Sequence, residues 1–290
     1  MQNIYSYDQI TAQLRHFFQK QKGFVEVPAQ SRLSILAACE DPKTVSSFSF
    51  SNTIYPLPQT GQMWLEYELL KNPGIPGVFC VTTSYRNEPN PIPGRHDKIF
   101  PMFEFESAGG FAELQKIERE LLQYLGFPVP VSLDYRATCA QYETEILHAE
   151  QETLMWHEFG NAISLEKFPL HSNPFWNMKQ NNGVFNKIDV ILYGMETIGS
   201  AERSTDAQEM RDYFFTISDG EYAELLFGKF GKDRVVKELD EYLSLPFFER
   251  FGGGIGVTRM ERAMRMAGLL KEQVPASFVQ PNTPFGQPTL

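Results

Sequence analysis

The 290-residue sequence is short of cysteine, histidine and positive charge, and each shortage excludes something. Three cysteines, Cys39, Cys80 and Cys139, are odd in number and widely spaced. That argues against a disulfide framework or a zinc site and for a reducing compartment. Five histidines, none paired at i and i+4, offer no metal-ligand pattern. A net charge of −10 disfavours nonspecific nucleic-acid binding, which rests on clustered Lys and Arg, though a local basic site stays open. No apolar run approaches membrane-spanning length, and the polar start has no signal-peptide shape, so the chain reads as cytoplasmic. Internal repeats and low-complexity linkers are missing too. One domain over residues 1–290 is the simpler organisation, with an extended, proline-bearing tail from about 280 to 290.

What is present begins with a hairpin pattern over residues 78–106. Two β-type runs flank a loop rich in Pro, Gly and Asn that carries Arg86, Glu88, Arg95 and His96. Side chains alternate along a strand, so Phe103 and Phe105 share one face while Met102, Glu104 and Glu106 share the other. The second face is either a floor for a charged ligand or the outside of an ordinary solvated hairpin.

Residues 6–22 carry a helical pattern, with Ile10, Leu14, Phe17 and Phe18 on one side, a capping box at Ser6 and Gln9, and Gly23 as the stop. A short strand over 24–27 then meets Pro28. Residues 34–51 look irregular, residues 62–70 and 111–125 helical, and residues 137–159 mainly helical. A second hairpin is expected with Tyr193 and Gly194 as its two-residue loop. Pairing from that loop sets Ile191 opposite Glu196 and Asp189 opposite Ile198, which makes Asp189 and Glu196 diagonal neighbours. Two carboxylates so placed are either solvated surface acids or ligands of Mg²⁺ held jointly with phosphates. Finally, the glycines at 252, 254 and 256 strip one face of a strand, and Arg259 falls in the first turn of the following helix.

Together these segments resemble the catalytic core of class II aminoacyl-tRNA synthetases of the aspartyl/asparaginyl branch. The helix and strand up to Pro28 look like motif 1, the dimer interface of that family. Tyr-Arg-Asn-Glu at 85–88 with residues 95–106 looks like motif 2, and Gly-Gly-Gly-Ile-Gly-Val-Thr-Arg at 252–259 looks like motif 3. Asp189 and Glu196 through Arg203 match the branch's magnesium and substrate strand. The resemblance implies an α+β fold, an antiparallel β-sheet flanked by helices. It implies ATP and Mg²⁺ as cofactors, with Asp189 and Glu196 on the metal. Arg86 and Arg259 would be catalytic. Arg86, Glu88, His96, Phe100 and Arg259 would bind ATP, with Arg86 on the α-phosphate, Glu88 on the adenine amino group, His96 on the γ-phosphate, and Phe100 and Arg259 about the adenine. Glu40, Gln62 and Arg203 would hold the amino acid, and the chain would be a homodimer through motif 1.

This sequence also departs from the family. Leu65 stands where aspartyl enzymes place a lysine for the substrate side chain, within a segment of asparaginyl type. Arg250 replaces a histidine, Thr258 an acidic residue, and Asp41 and Pro42 a glycine pair. Motif 1 starts almost at residue 1, so no N-terminal anticodon-reading domain is expected and tRNA is expected to be a disfavoured acceptor. The expectation is ammonia-dependent asparagine synthesis through β-aspartyl-AMP, with Arg203 and Arg250 as candidate cations for the second carboxylate. The alternatives are amino acid transfer to tRNA or another acceptor, and a non-catalytic paralogue that binds nucleotide or amino acid.

Overall fold

The computed structural model describes residues 3–30 and 32–270; the tail expected at 280–290 lies outside them. Its centre is a nine-stranded sheet. The strands are β1 (Val25–Glu26), β4 (Gly77–Tyr85), β5 (Ile99–Ala108), β6 (Val131–Asp134), β7 (Ala162–Pro169), β8 (Gln180–Asn181), β9 (Val184–Leu192), β10 (Met195–Arg203) and β11 (Arg250–Gly256), with β2 (Ser47–Phe50) and β3 (Thr53–Pro56) forming a separate hairpin. The sheet order is β1-β4-β5-β11-β10-β9-β7-β6, and β8 pairs with β9. Pairing is antiparallel through the middle and parallel at the two margins, β1 with β4 and β6 with β7. The antiparallel sheet with flanking helices is therefore present, as a mixed sheet.

Helices α1 (Ile4–Arg15), α3 (Phe111–Leu125) and α9 (Val257–Met266) cover one face of the sheet. Ile10, Leu14, Phe17 and Phe18 pack there with Phe79, Phe103 and Phe105 of the central strands, and Phe18 lies 4.8–5.2 Å from the rings of Phe105 and Phe103. The α3 stripe of Leu114, Ile117, Leu121 and Leu125 joins the same core, and Gly126, at φ +97°, ends the helix in the left-handed conformation that glycine adopts freely. Phenylalanines facing this core leave Met102, Glu104 and Glu106 on the opposite face of β5. A second cluster built from α2 (Gln62–Lys71), α6 (Ala207–Thr216), α7 (Glu221–Phe230) and α8 (Lys232–Leu243), with Trp176 and residues 35–39, walls in that side.

Four sequence expectations need correction. The first helix begins two residues early: Asn3, not Ser6, caps it by accepting from the N–H groups of Tyr5 and Ser6, and Ser6 is buried. Its last turn, His16–Gln21, winds in π-helical form. Residues 34–51 are not wholly irregular, because β2 turns into β3 through Ser51 and Asn52, both left-handed. The helical stretch 137–159 is two helices, α4 (Tyr135–Gln141) and α5 (Ala149–Phe159). The second hairpin turns at Tyr193 and Gly194 and pairs Leu192 with Met195 and Ile191 with Glu196 as expected, but a bulge before Ile198 advances β10 by one residue. Asp189 consequently lies opposite Gly199 rather than Ile198.

Candidate active site

The polar face of the sheet forms the floor of a cleft shared by β5, β10, β11 and the loop between β4 and β5. Glu40, Gln62, Arg86, Glu88, His96, Phe100, Glu196 and Arg259 all line it. Gln62, Arg203, Asp189, Glu196 and Glu40 also line an adjoining pocket of about 260 Å³. Ten residues spread over the chain are thus gathered into one continuous site.

Motif-type glycines shape its floor. A Cβ on Gly252 would fall 2.1 Å from the Glu106 carboxyl and 2.4 Å from the Phe105 carbonyl oxygen, so no larger residue fits. A Cβ on Gly254 would press on the ends of the Met102 and Gln62 side chains and lie in ordinary contact with Glu104. Glu104 and Glu106, fully buried, serve the site indirectly. Glu104 accepts from the Thr60 and Thr82 hydroxyls and from the Gly61 N–H at the start of α2, which fixes Gln62 at the rim of the pocket. Burial still raises its pKa above the usual carboxylate value.

Glu106 accepts from Arg203 Nε at 3.1 Å and from Arg203 Nη2, and the same Nη2 donates to Gln62 Oε1 at 2.7 Å. Burial pushes the Glu106 carboxyl up to about 8 although Arg203 opposes the shift, and its Oε2 finds no partner among the described residues. Arg203 is itself 3% exposed and lines the pocket.

Leu65 and Arg250 do not sit where the resemblance implied. On α2, Gln62 and Glu66 are four residues apart and share the pocket side, whereas Leu65 packs with Leu69, Val78 and Cys80 behind it. Leu65 is a core residue. Arg250, fully buried, donates to Glu66 Oε2 from Nε at 3.0 Å and from Nη2 at 2.7 Å, and reaches the Tyr242 hydroxyl and the Ser204 carbonyl. It is neutralised by Glu66 and is not a free cation for a ligand. The remaining Glu66 oxygen, Oε1, accepts from Asn177 Nδ2 at 2.7 Å, and Tyr242 also donates to Oε2.

In the wider cleft, Arg86 is ion-paired with Glu40, which raises the arginine pKa further, and its buried Nε has no partner among the described residues. The backbone N–H groups of Glu40 and Asp41 both donate to Gln59 Oε1, and Lys229 donates to the Pro42 carbonyl. The segment that replaces the glycine pair is therefore tied down. Phe100 lies in the same cleft with the Arg86 guanidinium 5.8 Å from its ring centre. Glu88 and His96 contact each other at 2.9 Å. Arg259 donates to the Glu196 carbonyl at 2.8 Å and lies 3.5 Å from its carboxylate. Thr258 lines the cleft beside it.

Asp189 and Glu196 converge on Gly199: a Cβ there would lie 3.1 Å from Glu196 Oε1 and 3.7 Å from Asp189 Oδ1. Burial lifts the Asp189 carboxyl to about 7, Glu196 adding to the shift and Lys187 opposing it. Two hard carboxylates around a bare backbone suit Mg²⁺, and no cluster of three or more His, Cys, Asp or Glu among the described residues could hold a metal without added ligands. Phosphate oxygens would have to complete the shell. Sequence reasoning missed Lys187, Glu66 and Asn177 as parts of this site; the i, i+4 spacing of Gln62 and Glu66 was the one available signal.

A model of class II tRNA synthetases (D, K and N) matches residues 1–267. The chain belongs to that family. This synthetase-family chain is similar in fold to asparaginyl-tRNA synthetase from Pyrococcus horikoshii complexed with asparaginyl-adenylate, at 18% identity and a TM-score of 0.75 over 90% of this chain and 64% of that one. It is also similar to Entamoeba histolytica asparaginyl-tRNA synthetase in complex with asparaginyl-adenylate, at 17% identity and a TM-score of 0.69 over 91% and 63%. Aspartyl tRNA synthetase from Entamoeba histolytica gives 18% identity and a TM-score of 0.66 over 89% and 54%. The synthetase-family chain spans less than two thirds of the length of these structures. No curated protein matches it. No helix among the described residues is long and apolar enough to cross a membrane.

Proposed function

We propose that the chain activates an amino acid carboxylate with ATP, releasing pyrophosphate, and that its substrate carries a second carboxylate, as aspartate does. The observation that carries the choice is the engagement of Glu66. Both Glu66 oxygens accept from Arg250, Tyr242 and Asn177, so its charge is committed to Arg250 behind the pocket and Arg203 is left nearer a ligand. The buried group around the pocket holds two arginines, Arg203 and Arg250, against Glu66 and Glu106. Burial raises the Glu106 carboxyl and so weakens its hold on Arg203, the arginine that faces the pocket. A ligand carboxylate pairs with that guanidinium.

Within this reading Glu40 takes the substrate ammonium once ATP draws Arg86 away from it, and Arg86 stabilises charge on the α-phosphate as the carboxylate oxygen attacks. Phe100 and Arg259 hold the adenine between them, with Glu88 and His96, in contact with each other, beside the nucleotide. Asp189 and Glu196 would hold Mg²⁺, which supplies charge neutralisation for the departing pyrophosphate. The chemistry relies on orientation and electrostatics, with no protein nucleophile. Ammonia then attacks the mixed anhydride, giving the amide, AMP and a proton; the acyl group in this version is the β-aspartyl one. The likeness to structures holding asparaginyl-adenylate favours a second reading, activation of the α-carboxylate for tRNA or another acceptor. A homodimer through the N-terminal helix and strand, where Ile4, Tyr5 and Val25 are exposed, belongs to either reading.

Product analysis separates them. Aspartate, ATP and ammonium should together yield asparagine and AMP, with no dependence on tRNA. Pyrophosphate exchange supported by asparagine alone would overturn the aspartate reading. No exchange with any amino acid would leave only the non-catalytic paralogue.

A further inference from the structure

Lys187 lies on β9 two residues before Asp189, so the two side chains leave the strand on the same face. Its Nζ lies 2.5 and 2.6 Å from the two Asp189 carboxylate oxygens. From another side the ammonium sits 3.6 Å from the centre of the Phe168 ring, a cation–π contact that holds it in place. The side chain is 19% exposed and borders the amino acid pocket and the two cavities next to it. Nothing in the adenylation reading uses it.

The charge arithmetic gives it a role. With both carboxyls ionised, as a bound metal requires, Asp189 and Glu196 alone would present two negative charges around Gly199; Lys187 reduces that to one. Glu152, the third carboxylate nearby, is already paired with Arg95 and accepts the Glu196 N–H. We propose that Lys187 is a built-in monovalent cation of the site, which neutralises Asp189 so that the acidic pair takes up a divalent ion only in company with nucleotide phosphates. A site weakened in this way stays free of divalent ions between turnovers, and its metal arrives with the substrate. When phosphates are present, the ammonium is also a fixed positive charge facing them and the amino acid carboxylate.

The proposal rests on the assignment of Asp189 and Glu196 as the metal pair, and its test reads ion binding instead of turnover. Mn²⁺ is titrated into the nucleotide-free protein and followed by electron paramagnetic resonance, for the wild type, Lys187→Met and Lys187→Arg, each checked for folding by circular dichroism. Lys187→Met should bind Mn²⁺ at least tenfold more tightly than the wild type, while Lys187→Arg, which keeps the charge, should bind as weakly as the wild type. Equal binding by wild type and Lys187→Met, or tight binding by Lys187→Arg, would overturn it. Pyrophosphate exchange on the same wild-type sample reports separately on the adenylation reading.

Discussion

Replacing Arg250 with alanine removes a cation that makes two charge-assisted hydrogen bonds to Glu66 and two more to Tyr242 and the Ser204 carbonyl, in a place without solvent contact. Glu66 keeps its Tyr242 and Asn177 donors, and Arg203 at 3.9 Å, but loses the cation hydrogen-bonded to it. Breaking a fully buried pair from one side costs about 3–5 kcal/mol, because the remaining charge stays buried. That is a large part of a typical domain stability of about 5–15 kcal/mol, yet it leaves a folded protein to measure. Adding Glu66→Gln should return part of the loss. The two single losses should exceed the double-mutant loss by about 2–3 kcal/mol, as expected for groups in one network. Urea unfolding followed by tryptophan fluorescence gives all four corners of the cycle. Arg250→Ala should also weaken binding of a two-carboxylate amino acid, since Glu66 is then free to draw Arg203 away from the pocket. A loss below about 1 kcal/mol, or strict additivity, would show that Arg250 is not the partner that occupies Glu66.

Three further outcomes follow from the same geometry. Aspartate binding should weaken as pH rises through about 8, where Glu106 deprotonates and cancels the pocket charge, and Glu106→Gln should flatten that profile in calorimetric titrations. Glu118, buried at the back of the sheet with its carboxyl raised to about 8 by burial, contributes stability that is fully present below its unfolded pKa near 4.5 and is lost as pH rises through 8. Glu118→Gln keeps an acceptor for Ser200 and should therefore stabilise the protein by roughly 1–3 kcal/mol at pH 8.5 and by much less at pH 5, read from thermal or urea unfolding. Gly252→Ala should cost more than about 2 kcal/mol, since its Cβ strikes backbone and the Glu106 carboxyl, whereas Gly254→Ala should fold and mainly raise the KM for the amino acid by crowding Gln62.

Much of this was legible in the chain because local patterns fixed it. Leu114, Ile117, Leu121 and Leu125 repeat at helical spacing and Gly126 ends the run, so α3 could be read to the residue. Alternation on β5 likewise divided the phenylalanines from the carboxylates. The bulge before Ile198 has no marker in the residues around it, and one extra residue was enough to change the partner of Asp189. Ser51 and Asn52 form a tight left-handed turn between short strands of mixed polarity, too weak a pattern to distinguish from loop. The site residues carried by motifs came together, but the contacts that set its charge did not show in the sequence. Glu66 and Arg250 are 184 positions apart, Arg203 and Glu106 are 97 apart, and nothing local says which arginine is occupied and which faces the pocket. Leu65 was misplaced for a similar reason, since one residue along a helix separates the pocket side from the core.

Arg86 bears most directly on whether the cleft forms an acyl-adenylate. Incorporation of labelled pyrophosphate into ATP, with Mg²⁺ and aspartate, should be rapid for the wild type. In Arg86→Ala it should fall by about 10²–10³, the scale of losing one charge-stabilising donor in a preorganised site, with thermal unfolding little changed. Equal exchange by the two proteins, or no exchange by the wild type with any amino acid, would contradict an ATP-dependent adenylating site.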